Sequence, residues 1–287
     1  MLAAQLMKLT GVKEMHLLDF CRIHGVIVDR EPPIGVWRRY PTQDKPTHRN
    51  GAVKYMGTHA FIQNHATMTE IEVWHAEGDS VMDPNKARKL VEAAHRDIKD
   101  KQDKAAQKAG FILHQCQIGY HPYLEKKGFK DEQGNVWKHE TDGLLLVIPM
   151  RVGHRLVGCQ IINEEGGKKF LFGQRTSGAS FIFDNRGPNI LCEGYATALS
   201  IKSAMKALKR RYTLHVCFSA GNMKKVADTL PNGFVVADND ASVTGERTAK
   251  EIGWPYWMPD TVGMDANDVH QRDGLFKFSQ SLGKVIK

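Results

Sequence analysis

Apolar runs alternate with amphipathic segments through the last third of the chain. The apolar runs have the length of buried strands, and the segments between them repeat apolar residues at helical spacing. The predicted order is strand 189–193, helix 196–209, strand 214–219, helix 221–229, strand 233–238, helix 244–252 and a short apolar stretch at 254–258. This order predicts a parallel sheet covered by helices, whose active groups gather at the carboxyl ends of the strands.

The middle of the chain shows two different patterns. A long helix is predicted from Pro84, with Asp83 as its N-cap, and we expect a break near Gly110. Farther on, the apolar runs 143–151 and 155–163 flank the short turn VGH, which predicts a β-hairpin.

The first 82 residues carry weaker signals. A short helix is expected to end at Gly25. Four β-prone segments punctuated by Gly, Pro and Asn follow it, so this part is predicted to be a small β-rich module. We therefore divide the chain into residues 1–82, 83–187 and 188–287.

Composition narrows the class of protein. The chain has 287 residues, of which 41% are hydrophobic, and no apolar run approaches the roughly 20 residues of a membrane span. Charged residues interrupt the N-terminal segment, so no export signal is expected and a cytoplasmic location is predicted. The five cysteines form no CxxC pair, which gives no indication of a disulfide framework or a zinc site. Three of them lie in apolar runs and are predicted to be core residues: Cys159, Cys192 and Cys217.

Positive charge is concentrated in one part of the chain. The net charge is +8, and residues 84–130 hold 11 basic and 5 acidic side chains, whereas residues 1–80 hold 9 of each. One explanation of this run is a helix face exposed to solvent. The other is a polyphosphate partner such as nucleic acid, which binds a concentrated positive charge with release of counterions.

Acidic residues follow several of the predicted strands. Glu193 ends the first strand, and Asp238 and Asp240 end the strand FVVADND, where an extended backbone would point both to the same side. The segment DAND adds Asp265 and Asp268. Carboxylates that converge at one sheet edge repel one another unless a cation is bound, and such oxygen ligands suit Mg²⁺.

The ordered set EGYATA, AGN, ADND and DAND resembles the TOPRIM domain, and it is most similar to primases of phages and mobile elements. The segments PYLEKKG, LLLVIPMR, LVGCQIIN and KKFLFG, before this set, also look like bacterial primase segments. The resemblance runs from about residue 121 to 269, roughly half of the chain. It implies an α/β fold in which a Rossmann-like TOPRIM domain follows a mixed α+β primase subdomain.

The resemblance also implies an activity, which is synthesis of short RNA primers on single-stranded DNA by metal-dependent nucleotidyl transfer from ribonucleoside triphosphates. Glu193, Asp238 and Asp240 would be catalytic and would bind Mg²⁺ or Mn²⁺, and Asp265 and Asp268 would join the metal site. Nucleotide or template binding is expected of basic and amide residues: Lys126, Lys127, Arg151, Lys168, Lys169, Asn222 and Asn267.

The chain departs from the primase pattern at its N-terminus. No four-cysteine zinc module is present, and no zinc is expected. Four neighbouring aromatic and basic residues are candidates for contacting single-stranded DNA instead: Trp37, Arg38, Arg39 and Tyr40. A phosphate-binding GxxxxGK[ST] loop is absent too, so a separate replicative helicase is expected as partner.

Two rival functions stay open from the sequence. A TOPRIM-type nuclease would use the same acidic residues to cut DNA. A non-catalytic DNA-binding replication factor would keep the fold without the chemistry, although the intact acidic set speaks against a site that has lost its metal.

Overall fold

The structure is a computed structural model that describes residues 15–65, 67–68, 70–76 and 83–286. The chain divides into two compact units, Met1–Asp100 and Lys101–Lys287, which are described in turn. The predicted boundaries at residues 82 and 187 remain predictions.

The first unit contains a helix and a four-stranded antiparallel sheet. Helix α1 (Leu17–Ile23) is followed by Gly25, whose positive φ of 71° suits glycine at a helix end. The strands pair in chain order: β1 (Trp37–Tyr40), β2 (Gly51–Tyr55), β3 (His59–Asn64) and β4 (Glu72–His75). Leu17 and Phe20 of α1 are buried with Val53, Ile62 and Trp74 of the sheet. The predicted β-rich module is confirmed over these strands.

Helix α2 (Pro84–Gln115) begins where the sequence predicts, and Asp83 Oδ1 accepts a hydrogen bond of 3.0 Å from the Asn85 amide. The predicted break near Gly110 is wrong, because the helix continues through this residue. Ala109 and Ile112, on either side of it, are buried in a cluster with Val147 of the following sheet. This tertiary packing outweighs the roughly 1 kcal/mol penalty of a glycine inside a helix.

The second unit begins with a five-stranded antiparallel sheet. Its strands also pair in chain order: β5 (Gln117–Gly119), β6 (Gly134–His139), β7 (Gly143–Val152), β8 (Arg155–Ile162) and β9 (Lys168–Phe170). The short helix α3 (Pro122–Lys126) lies between β5 and β6. The predicted hairpin is confirmed as β7 and β8, and Gly153 at the turn has a φ of 57°.

The rest of this unit is a mixed, largely parallel sheet with helices on both sides. Its strands are β10 (Phe181–Asp184), β11 (Asn189–Cys192), β12 (Thr213–Val216), β13 (Phe234–Val236) and β14 (Tyr256–Trp257). Its helices are α4 (Tyr195–Ala207), α5 (Ala220–Ala227), α6 (Thr244–Ile252) and α7 (Ala266–Gly283), the last kinked at Gly274. The order β10-β12-β11-β13-β14 confirms the predicted alternation, but β10 is an antiparallel edge strand that the sequence analysis missed.

The two faces of this sheet bury different helices. Leu199 and Ile201 of α4 pack with Phe278 of α7 on one face, and Met223 of α5 packs with Ala249 of α6 on the other. The three cysteines predicted as core residues are all buried. No helix in the described part of the chain combines the length and the apolar character needed to cross a bilayer.

Candidate active site

The carboxyl ends of the parallel strands carry the acidic residues that the sequence singled out. Glu193 follows β11, and the backbone amide of Ala220, the first residue of α5, acts to lower the pKa of the Glu193 carboxyl group against the larger effect of burial. Asp238 follows β13 two residues after the strand ends. Since β11 and β13 are adjacent and parallel, both residues lie at the same edge of the sheet.

A third acidic residue reaches this edge through a backbone bridge. Asn239 pairs with Met264, because its amide donates to the Met264 carbonyl over 3.1 Å. Asp265 therefore follows directly after a segment that is fastened to the loop of Asp238. The Asp265 charge is one of those that raise the pKa of Asp238.

Asp238 is the most perturbed acidic residue of the group. Its Oδ1 is inaccessible to solvent and has no hydrogen-bond partner among the described residues. Burial first, and then the charges of Glu193, Asp265 and Asp240, raise its pKa to about 7, whereas Lys168 opposes the rise. Glu193 has a raised pKa for related reasons, namely burial and the charge of Asp240. A buried carboxylate without a partner is costly, so this atom is suited to receive a cation.

Gly245 allows α6 to approach Asp238. A Cβ at Gly245 would collide with the Asp238 carbonyl oxygen, so a larger residue would push the helix away from the site. The sequence analysis did not single out this glycine. The need for glycine at position 245 arises from the close approach of its backbone to that of Asp238, which the sequence does not reveal.

Asp240 has a different environment from Asp238. Its carboxylate accepts hydrogen bonds from the amides of Ser242, Thr244 and Gly245 at the start of α6, and from the Ser242 hydroxyl. Partial burial tends to raise its pKa, but these bonds bring the net pKa below the ordinary value. The strand ends at Val236, although the amides of Ala237 and Asn239 still donate to the Trp257 and Met264 carbonyls, and the two aspartates differ in their bonding partners. Asp240 contributes charge to the group while its oxygens hold the loop.

The DAND segment forms the start of α7. Asp265 Oδ1 accepts from the amides of Asn267 and Asp268, and Asp268 Oδ2 accepts from the Asp265 amide over 3.0 Å. This reciprocal pair is a capping box, which satisfies amides that a helix start leaves free. Asp268 therefore fixes the helix end that positions Asp265.

Two residues predicted to bind a nucleotide or the template are buried, and their side-chain amides form hydrogen bonds within the protein. Asn267 is inaccessible, donates to the Lys127 carbonyl and Ser200 Oγ, and accepts from Gln271. Asn222 has an exposed fraction of 6%, and its amide bonds the backbone of residues 178, 179 and 217. Both therefore serve to lock elements together rather than to contact a nucleotide.

The two lysines of β9 lie on opposite faces of their strand. Lys168 pairs with Ile162 and its charge lowers the pKa values of Glu193 and Asp238, so it faces the acidic group. Lys169 pairs with Ile161 and lines a separate cleft with Trp137. Adjacent residues of a strand point to opposite faces. The likeness of KKFLFG to a primase segment applied to both lysines equally, so it could not show that only Lys168 faces the acidic group.

Two phenylalanines border the acidic group, and the sequence analysis missed both. Phe170 shares the face of Lys168, and its ring meets that of Phe218 edge-on at 6.2 Å. Phe218 follows β12 with a φ of 67°, an unusual value for a bulky residue. Because side chains alternate between the faces of a strand, the sequence KKF could have indicated that Phe170 shares a face with Lys168. No feature of the sequence indicates the conformation of Phe218.

The other predicted basic residues lie outside the acidic group. Arg151 is exposed and donates to the His154 carbonyl, while its backbone bridges Ser180. Lys126 is exposed and donates to the Glu164 carbonyl. Lys127 is the C-cap residue that follows α3, and its carbonyl accepts a hydrogen bond from Asn267. In the first unit, Trp37 and Arg39 lie on one face of the sheet, and Arg38 and Tyr40 on the other.

A divalent ion at this edge would take its protein ligands from the described residues. Among them, no three Asp, Glu, His or Cys side chains are arranged to hold one metal ion. Mg²⁺ commonly binds through only one or two carboxylates and completes its shell with waters and substrate phosphates. Asp238, with its unpartnered oxygen, and Glu193 fit that pattern, so the residues present suit a Mg²⁺ ion that keeps several waters.

Acidic residues that repel one another in the metal-free chain should give a pH-dependent stability. The raised pKa of Asp238 means that the folded state holds its proton up to about pH 7, whereas the unfolded state releases it near pH 4. Its stabilising contribution is present below the unfolded pKa and is lost as the pH rises through 7.

Asp238→Asn should therefore raise the free energy of unfolding at about pH 8 relative to wild type, and this advantage should disappear toward about pH 4. Urea unfolding in a chelator measures the difference. Asp228→Asn is the control, because Asp228 is an exposed partner of Lys224 outside the site. If Asp238→Asn raised the free energy of unfolding by the same amount at every pH, the buried and repulsive environment described for Asp238 would be contradicted.

Comparison with known proteins gives a distant likeness. No family model and no curated protein matches the chain. Among solved structures, the chain is similar to a crystal structure of a DNA primase domain from Pseudomonas aeruginosa, with a TM-score of 0.34 and 11% sequence identity. The match covers 52% of this chain and 56% of that one, so the chain spans about half the length of the structure that it matches. The chain thus has a distant, partial structural similarity to a bacterial DNA primase domain.

Proposed function

We propose that the chain synthesises short RNA primers on single-stranded DNA by metal-dependent nucleotidyl transfer, for the replication of a phage or mobile element. The observation that carries the proposal is the group of Glu193, Asp238 and Asp265 at the carboxyl ends of parallel strands, with Lys168 facing it. The primase-like order of sequence segments supports the choice of reaction. A basic lysine opposite carboxylates suits a substrate that is a polyphosphate bound with a cation.

The residues divide the binding of an incoming ribonucleoside triphosphate between them. Asp238 and Glu193 would hold Mg²⁺, which when bound would stabilise the negative charge that develops on the phosphates. Lys168 offsets the remaining negative charge of the triphosphate from the opposite side. The Phe170–Phe218 pair offers apolar ring surface beside the acids, which suits the base or sugar of the nucleotide.

The reaction is a displacement at the α-phosphorus. The 3′-oxygen of the primer forms the new bond, the bond from the α-phosphorus to its bridging oxygen breaks, and pyrophosphate leaves. Glu193 would accept the hydroxyl proton as the general base of the step. Asp240 and Asp268 hold the loop and helix that present Asp238 and Asp265.

Product analysis tests the proposal. The full chain is incubated with single-stranded DNA, Mg²⁺ and labelled ribonucleoside triphosphates, and short RNA products are expected only when the template is present. Shortening of the DNA in the absence of ribonucleotides would favour the nuclease instead. Neither product, together with no stabilisation by Mg²⁺, would favour the non-catalytic DNA-binding factor. A separate helicase would be needed to expose the template on duplex DNA.

A further inference from the structure

The sheet of the first unit has one face that its own core does not use, called here the outer face. Trp37, Lys54, Phe61 and Val73 stand directly opposite one another across the four strands, so their side chains project to the same side. The same alternation adds further residues to this face: Arg39, Ala52, His59, Gln63 and His75.

Aromatic rings form a connected group across the outer face. The Trp37 and Phe61 rings lie 6.5 Å apart, and the His59 ring lies 5.3 Å from Phe61 and 6.1 Å from His75. Trp37 keeps 44% of its surface exposed and Val73 keeps 39%. By contrast, Val53 and Ile62, on the inner face, are fully buried under α1 residues. Trp37 and His75 are exposed, whereas His59 and Phe61 are half-buried, and a partly exposed aromatic group of this kind indicates an interaction site.

The charges on the outer face have one sign. Arg39 and Lys54 come from the two neighbouring strands β1 and β2, and none of the strand positions that project to this face is Asp or Glu. Flat rings bordered by cations suit a ligand with exposed aromatic rings and a negatively charged backbone. Single-stranded nucleic acid has both, whereas a duplex hides the faces of its bases.

We propose that the outer face binds single-stranded nucleic acid, with bases stacked on Trp37 and Phe61 and phosphates held by Arg39 and Lys54. The proposed binding residues differ from the four neighbouring residues WRRY that the sequence suggested, because only Trp37 and Arg39 of that motif lie on the outer face. Arg38 and Tyr40 project to the other face, and Tyr40 packs against the core cluster. The inference adds a template contact to the proposed function but does not depend on the acidic group of the second unit.

Binding of a fluorescein-labelled oligothymidylate, measured by fluorescence anisotropy in a chelator, tests the inference on the full chain. Trp37→Leu and Phe61→Leu should each weaken binding by about 10-fold, since stacking on one aromatic residue is worth on the order of 1–3 kcal/mol per base. Phe276→Leu is the matched control, because Phe276 of α7 has 73% of its surface exposed and lies in the second unit. It should bind as wild type does.

Charge variants give a second readout that does not require changing an aromatic residue. Lys54→Gln should reduce the slope of log affinity against log salt by about 0.7, the value for one phosphate contact of a single strand. A labelled duplex of the same length should bind more weakly than the single strand.

Wild-type affinity in both aromatic variants, an unchanged salt slope in Lys54→Gln, or equal binding of duplex and single strand would each overturn the inference. Primer synthesis by the wild type separates this result from the proposed function, because binding measured in a chelator does not require catalysis. If wild type binds through Trp37 and Phe61 but makes no primers, the proposed function fails and the outer face remains a binding site.

Discussion

Asp238→Asn is expected to lower primer synthesis by about 100- to 1,000-fold, the range seen when one preorganised electrostatic contact to a developing charge is lost. The substitution keeps the shape of the side chain but removes the negative charge of the one carboxylate in the group with an unpartnered, inaccessible oxygen. In the proposed mechanism, the site without that charge would no longer hold the cation that would neutralise the triphosphate.

The loss should occur in a well-folded protein. Because burial and neighbouring acids raise the pKa of Asp238 to about 7, removing its charge relieves repulsion in the metal-free chain. The variant should therefore unfold no more easily than wild type at neutral pH. Asp228→Asn, at an exposed position outside the site, should make primers at the wild-type rate. Primer synthesis by Asp238→Asn at that same rate would show that the acidic group is not the catalytic centre.

Lys168→Gln should lower primer synthesis by about 100-fold, whereas Lys169→Gln should change it little. The two residues are adjacent and exposed on the same strand, so the pair controls for net charge and for local stability. Only Lys168 lowers the pKa values of Glu193 and Asp238, and only Lys169 lines the cleft beside Trp137.

Steady-state rates at varied ribonucleotide concentration measure this difference. If Lys168 contacts the triphosphate, its loss should reduce kcat/KM for the ribonucleotide. Equal losses in both variants would indicate a general effect of positive charge on DNA binding. A larger loss in Lys169→Gln would contradict the assignment of faces.

The alternation of strands and helices in the second unit was predictable because each element follows a regular hydrophobic period. The α4 face illustrates this, since Ala198, Ile201 and Met205, which share one face at helical spacing, are all buried. The end of α2 was not predictable in the same way. Gly110 favours a break by its own propensity, and only the sheet that buries Ala109 and Ile112 keeps the helix continuous.

The candidate site was predictable in its residues but not in their roles. The order of strands places Glu193 and Asp238 at one edge, and the sequence suffices for that inference. It could not separate Asp238 from Asp240, because the difference lies in the amides of Ser242, Thr244 and Gly245 that bond only one of them. The burial of Asn267 likewise depends on α3 and α4, which are distant from it in sequence.

The proposed function depends on one divalent ion held between Glu193 and Asp238. Titration with Mn²⁺, followed by the loss of its free-ion electron paramagnetic resonance signal, tests this claim most directly. Wild type and Asp228→Asn should bind one ion per chain that excess Mg²⁺ displaces, and Asp238→Asn and Glu193→Gln should not bind it. Undiminished Mn²⁺ binding by both site variants, or none by wild type, would contradict the claim.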